Sequence, residues 1–133
     1  MLTQVIPEHI VFRIVSVFLL LGVLAMSFMP LDSVDPLRLN IGNSVDIGHI
    51  VAYALLAGAT MLSVPRQALT LWRGVGIVFT ISLLGLAIEL LQPLAGRTTS
   101  VVDFTENEVG IVCGMTIFCG YLIFRMIQDK GQQ

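Results

Sequence analysis

Four long stretches of this chain, residues 10–29, 47–64, 74–92 and 109–124, are almost free of charge, and no other feature constrains the fold as strongly. Their length and apolar character read as transmembrane helices. A backbone in lipid must satisfy its own N–H and C=O groups, and a helix does so within one segment. Pro30, Pro65 and Pro93 follow the first three stretches, where a helix is expected to stop. Only 12% of the 133 residues are charged, about half of what an average soluble domain carries. With a mean hydropathy of +0.90, too little charge remains to clothe a water-exposed fold. The expected architecture is all-α: a single membrane domain over 1–133, built as a four-helix transmembrane bundle with spans near 10–29, 47–64, 74–92 and 107–126.

The first span is expected to be retained rather than cleaved as a leader. Its uncharged core, residues 14–31, runs for 18 residues, beyond the roughly 7–15 of a signal-peptide core. The other three cores are shorter: residues 50–65, 74–88 and 109–124 contain only 15–16 residues each. Crossing ~30 Å of hydrocarbon takes about 20 residues. Each of these helices must therefore draw polar residues into the membrane at one end. Those residues are Asp46 and His49 on the second, Glu89 and Gln92 on the third, and Asp103 and Asn107 on the fourth. Because successive spans alternate in direction, all three polar ends fall on one side.

The basic residues indicate which side. Arg13, Arg66, Arg73, Arg125 and Lys130 share the side of the termini, whereas only Arg38 and Arg97 lie opposite. Positive residues mark the cytoplasmic face. Both termini are expected to be cytoplasmic and the polar ends extracytoplasmic. The loop over residues 30–45 is rich in turn formers and long enough to cover those ends as a lid. A net charge of −2 with no basic stripe argues against a nucleic-acid partner. Cys113 and Cys119, six apart on one helix, lie on different faces and are not placed to form a disulfide with each other.

Within the polar ends, Asp46, His49 and Tyr53 follow i, i+3, i+7 spacing and share a helical face. Glu89 and Gln92 are three apart, a turn containing Gly96-Arg97 follows, and Asp103, Asn107 and Gly110 again share one face. Ser100 with Asp103 three residues on fits a helix N-cap. Gly110 and Gly114 form the small-residue pair that lets two helices approach closely. Two readings of the cluster are open. One is a purely structural interhelical network, with Arg97 paired to Glu89 or Asp103. The other is a polar pocket, since ionisable groups inside a membrane are candidate functional sites.

These strings resemble the VanZ-like family: Asp46-x-x-His49-x-x-x-Tyr53, Glu89-x-x-Gln92, a Gly96-Arg97 turn, then Asp103-x-x-x-Asn107-x-x-Gly110. The resemblance covers residues 46–114. Glu108 departs from it, where a small or apolar residue is more usual, and the first helix carries no family signature. It implies a small, multi-pass protein of the bacterial inner membrane with a cell-envelope role, related to accessory proteins of glycopeptide-antibiotic resistance. It supplies no reaction.

The expected function is binding of an envelope component, namely a lipid-linked saccharide, a lipid head group or a lipoglycopeptide. The ligand-binding set would be Asp46, His49, Tyr53, Glu89, Gln92, Arg97, Asp103 and Asn107, with Arg97 as the anion hook. The alternative is a membrane-embedded hydrolase or transferase acting on an envelope lipid, with Asp46, His49, Glu89 and Asp103 as catalytic candidates. Transport or flipping ranks third and would need an oligomer, so a homo-oligomer is a possible state. Membrane lipids are expected partners. No cofactor and no metal are assigned. Asp46, His49, Glu89 and Asp103 could hold a divalent cation, but they come from three helices, so spacing does not test ligand geometry. No Ser, Cys or zinc-protease motif is present.

Overall fold

A computed structural model describes residues 7–29, 40–41 and 45–131. Among them are four α-helices: α1 (Glu8–Phe28), α2 (Ile47–Leu62), α3 (Leu71–Leu91) and α4 (Val101–Gly131). A two-residue antiparallel pairing, β1 (Asn40–Ile41) with β2 (Val45–Asp46), sets Asn40 opposite Asp46 just before α2. The proposed lid over 30–45 otherwise lies outside the described residues.

Three helical segments, Glu8–Phe28, Leu71–Ala95 and Val101–Gly131, are long and apolar enough to cross a membrane. The fourth, α2, has 16 residues, or about 24 Å at 1.5 Å per residue. It falls short of a full span, as the short core within 47–64 foreshadowed. Helix α4 is longer than the expected 107–126. It starts at Val101, behind a Ser100 cap, and continues to Gly131, because no proline or left-handed glycine stops it. Gln92–Ala95 extends α3 as a 3₁₀ turn, with Pro93 in its first residues. The turn ends at Gly96, whose φ of 75° is the left-handed conformation a glycine adopts without strain.

Helix α2 is the hub. Tyr53, Leu56, Ala57, Ala59 and Met61 are all buried on it, and the first three pack in one cluster with Ile81 and Ile88 of α3, Ile111 of α4 and Val23 of α1. On α4 the small-residue pair performs its expected role: a Cβ built on Gly114 would lie 2.3 Å from the Ala54 carbonyl oxygen. The two backbones are thus in contact there, with no room for a side chain. The outward surfaces are apolar. Phe18, Trp72, Val101 and Ile117 are all 70% exposed or more, so burial of these faces calls for lipid rather than water. Trp72 lies exposed in the first turn of α3, and Cys113 and Cys119 are free and exposed.

Candidate functional site

Each polar residue reaches the site because a helix starts or ends beside it. Asp46 is the N-cap of α2: its Oδ1 accepts from the Gly48 N–H at 2.8 Å, while its own N–H donates to Glu106 Oε1 at 2.9 Å. A capping carboxylate at this end also suits the helix dipole. One and two turns further on, His49 and Tyr53 follow on the same face, as their spacing requires. At the end of α3, Glu89 Oε2 accepts from the Ser100 N–H at 3.2 Å and the Glu89 carbonyl accepts from Thr99 Oγ1 at 3.2 Å. Glu89 therefore pins the turn that follows it. That turn leads into α4, where Ser100 Oγ accepts from the Asp103 N–H at 3.0 Å and donates to Asp103 Oδ1 at 2.8 Å.

Beside these helix ends lies a cavity of about 380 Å³ with both apolar and polar lining. Phe18, Leu19, Gly22, Val23 and Met26 of α1 and Val51, Ala52 and Leu55 of α2 make the apolar lining. Asp46, His49, Tyr53, Glu89, Arg97 and Asn107 make the polar lining. Six of the eight residues singled out in the sequence thus line one space. Of the other two, Asp103 approaches His49: one donor atom each from His49, Asp103 and Glu106 lie within 4.8 Å of one another. Gln92 does not line the cavity but is buried, and both its amide atoms lack a protein partner.

Unsatisfied polar atoms are concentrated here. His49 Nδ1, Tyr53 Oη, Glu89 Oε1, Gln92 Oε1 and Nε2, Glu106 Oε2 and Asn107 Oδ1 are buried without a hydrogen-bond partner. Native interiors pair nearly all such groups, so a local excess calls for water, an ion or a ligand. Glu89 is 1% exposed and keeps Oε1 unpartnered even though Oε2 is bonded. The missing side chain of Gly85 on α3 leaves space that both Tyr53 and Asn107 border. A Cβ there would lie 3.3 Å from the Tyr53 hydroxyl and 3.6 Å from Asn107 Nδ2.

Arg97 does not make the ion pair with Glu89 or Asp103 that the purely structural reading would use. Its Nη1 donates to the Met26 carbonyl at 3.0 Å and to the Ser27 carbonyl at 3.5 Å. These are carbonyls at the end of α1, left open by the helix and rich in partial negative charge. The guanidinium therefore ties α1 to the α3–α4 turn while also lining the cavity. Sequence reasoning missed Glu106, which reads as one more exterior acid beside Asn107 yet is buried against Asp46. It also left Glu108 unexplained: Glu108 Oε1 accepts from Ser82 Oγ of α3 at 2.7 Å, so this acid is absorbed by an interhelical hydrogen bond.

Comparison with protein-family models, with curated proteins and with solved structures finds no match to this chain.

Proposed function

We propose that this chain is a VanZ-like protein of the bacterial inner membrane, spanning it four times with both termini cytoplasmic. On this reading its cavity binds the polar end of an amphipathic envelope component: a lipid-linked saccharide, a lipid head group or a lipoglycopeptide. The observation that carries the reading is the mixed apolar and polar lining of the cavity. The apolar lining from α1 and α2 would accept acyl chain. The polar lining offers buried, unpartnered donors and acceptors at Tyr53, Glu89 and Asn107 that suit hydroxyls and amides. Arg97 adds one cation beside them, though part of its fork is already committed to α1.

A hydrolase or transferase acting on the same class of lipid stands second. It is favoured by the approach of His49 to Asp103 and Glu106, a base beside acids within the reach of one substrate group. One experiment separates the two: purified protein is incubated with total envelope lipids, and bound and altered species are read by mass spectrometry. A co-purified lipid, unchanged and lost in the Asn107→Leu variant, supports binding. Turnover that disappears in His49→Ala and Glu89→Gln supports the enzyme and sinks pure binding. Neither bound nor altered lipid in a folded sample overturns both.

A further inference from the structure

We propose that His49, Asp103 and Glu106 form a binding site for a first-row divalent cation, Zn²⁺ or Mn²⁺, beside the polar lining of the cavity. The site rests on donor geometry and stands apart from the lipid reading.

The three donors arrive by local rules. Asp103 and Glu106 are three apart in the opening turns of α4, which puts both carboxylates on one face. His49 lies in the first turn of α2, which α4 contacts at backbone distance. One ligand atom from each falls within 4.8 Å of the others. Around a tetrahedral ion with ligands at about 2.0–2.2 Å, neighbouring donors lie roughly 3.4 Å apart.

Two further observations point to an ion rather than a chance cluster. First, Glu106 is only 6% exposed, and its Oε2 is buried with no partner. Its other oxygen is held by the Asp46 N–H. His49 Nδ1 is likewise buried and unpartnered. Second, both carboxylates are already oriented by outer contacts, Asp103 by Ser100 Oγ and Glu106 by the Asp46 backbone. Outer-shell support of this kind is what metal ligands characteristically carry.

Charge points the same way. Two carboxylates and one neutral imidazole cancel a divalent cation, whereas the same carboxylates alone leave unbalanced charge at the edge of an apolar bundle. Among the described residues, no Lys or Arg hydrogen-bonds to Asp103 or Glu106; Arg97 donates to the carbonyls at the end of α1. One imidazole nitrogen favours Zn²⁺ or Mn²⁺ over the all-oxygen preference of Mg²⁺ and Ca²⁺. Three protein ligands leave a coordination position open, and His49 also lines the cavity.

The test uses the full chain in detergent micelles, with Cys113→Ser and Cys119→Ser to remove competing thiols, stripped with a chelator and then dialysed. ZnCl₂ and MnCl₂ are titrated separately by calorimetry, and Mn²⁺ is probed by electron spin echo for a coupled nitrogen. The expected result is one cation per chain and one imidazole nitrogen signal. The signal should vanish in His49→Ala, and affinity should fall at least about a hundredfold in His49→Ala and Glu106→Gln. Ser100→Ala should weaken binding about tenfold with unchanged stoichiometry, as loss of an outer-shell partner does. Thr105→Ala, exposed on α4, should bind as the parent does. Circular dichroism and gel filtration certify each sample as folded. A folded parent protein that takes up neither cation overturns the proposal whatever the variants do. So does parent-like Zn²⁺ affinity in folded His49→Ala. Lipid extraction from the same samples reads the ligand proposal separately, so either can fail alone.

Discussion

Gly110 and Ile50 hold α4 and α2 together at backbone contact: a Cβ on Gly110 would lie 2.4 Å from the Ile50 carbonyl oxygen and 3.0 Å from Tyr53 Cβ. One turn on, Gly114 meets Ala54 in the same way. The contact fixes the faces carrying His49 and Tyr53 on one helix and Asn107 on the other, and so fixes the polar lining of the cavity.

Gly110→Ala and Gly114→Ala should each force these helices apart. Overpacking of this kind costs about 1–3 kcal/mol, and more where the obstacle is backbone. Thermal unfolding in micelles should show a clear fall in midpoint for both. Gly120→Ala, with nothing within 4 Å of its Cβ, should be neutral or gain up to about 1 kcal/mol from helix propensity. Equal effects at all three positions would contradict the packing described.

The Arg97 link to α1 predicts a loss in Arg97→Ala of about 1.5–3 kcal/mol, the range for hydrogen bonds made by a charged group. Arg97→Lys should recover only part of it, because a single ammonium replaces a planar fork. Limited proteolysis near residues 26–29 reports whether α1 has come loose. Unchanged cleavage in Arg97→Ala would assign the stabilisation to something else.

Much of this arrangement was legible along the chain, because it follows from spacing. The charge-poor stretches, the Gly110/Gly114 pair, the Ser100 cap and the shared face of Asp46, His49 and Tyr53 are all local patterns, and helical periodicity carries them directly into three dimensions. What could not be read are partnerships between residues far apart in sequence. Arg97 turns to Met26 and Ser27, Glu106 to the Asp46 backbone, and Glu108 to Ser82. Each choice depends on which helix ends face one another, and no window of sequence contains that. Glu106 is the clearest case: next to Asn107 it resembles any solvated acid, and only the docking of β2 against α4 buries it.

Tyr53→Phe separates stability from binding. The hydroxyl is buried and has no protein partner, so its removal should leave the ligand-free midpoint unchanged or slightly higher. A hydroxyl that meets a ligand should still matter, and recovery of co-purified lipid should fall. A destabilised Tyr53→Phe protein would place a structural partner on that oxygen.

Orientation has its own test. Leu94 is 85% exposed in the turn between α3 and α4, which makes Leu94→Cys a suitable probe once Cys113 and Cys119 are serine. An impermeant thiol reagent added to intact cells or spheroplasts should label it. Labelling only after the cytoplasmic face is opened would reverse the proposed topology.

The unequal lengths of α2 and α4 bear on bilayer mechanics. In the four-span arrangement, α2 is about 6 Å shorter than a ~30 Å hydrocarbon layer, while the 31 residues of α4 reach about 46 Å. In that arrangement a dimple of the leaflet over the Asp46 end would match the short helix, while α4 would protrude, and water and head groups would follow the dimple inward. The protein's stability should track acyl-chain length in reconstituted vesicles, with shorter chains matching α2 at lower elastic cost.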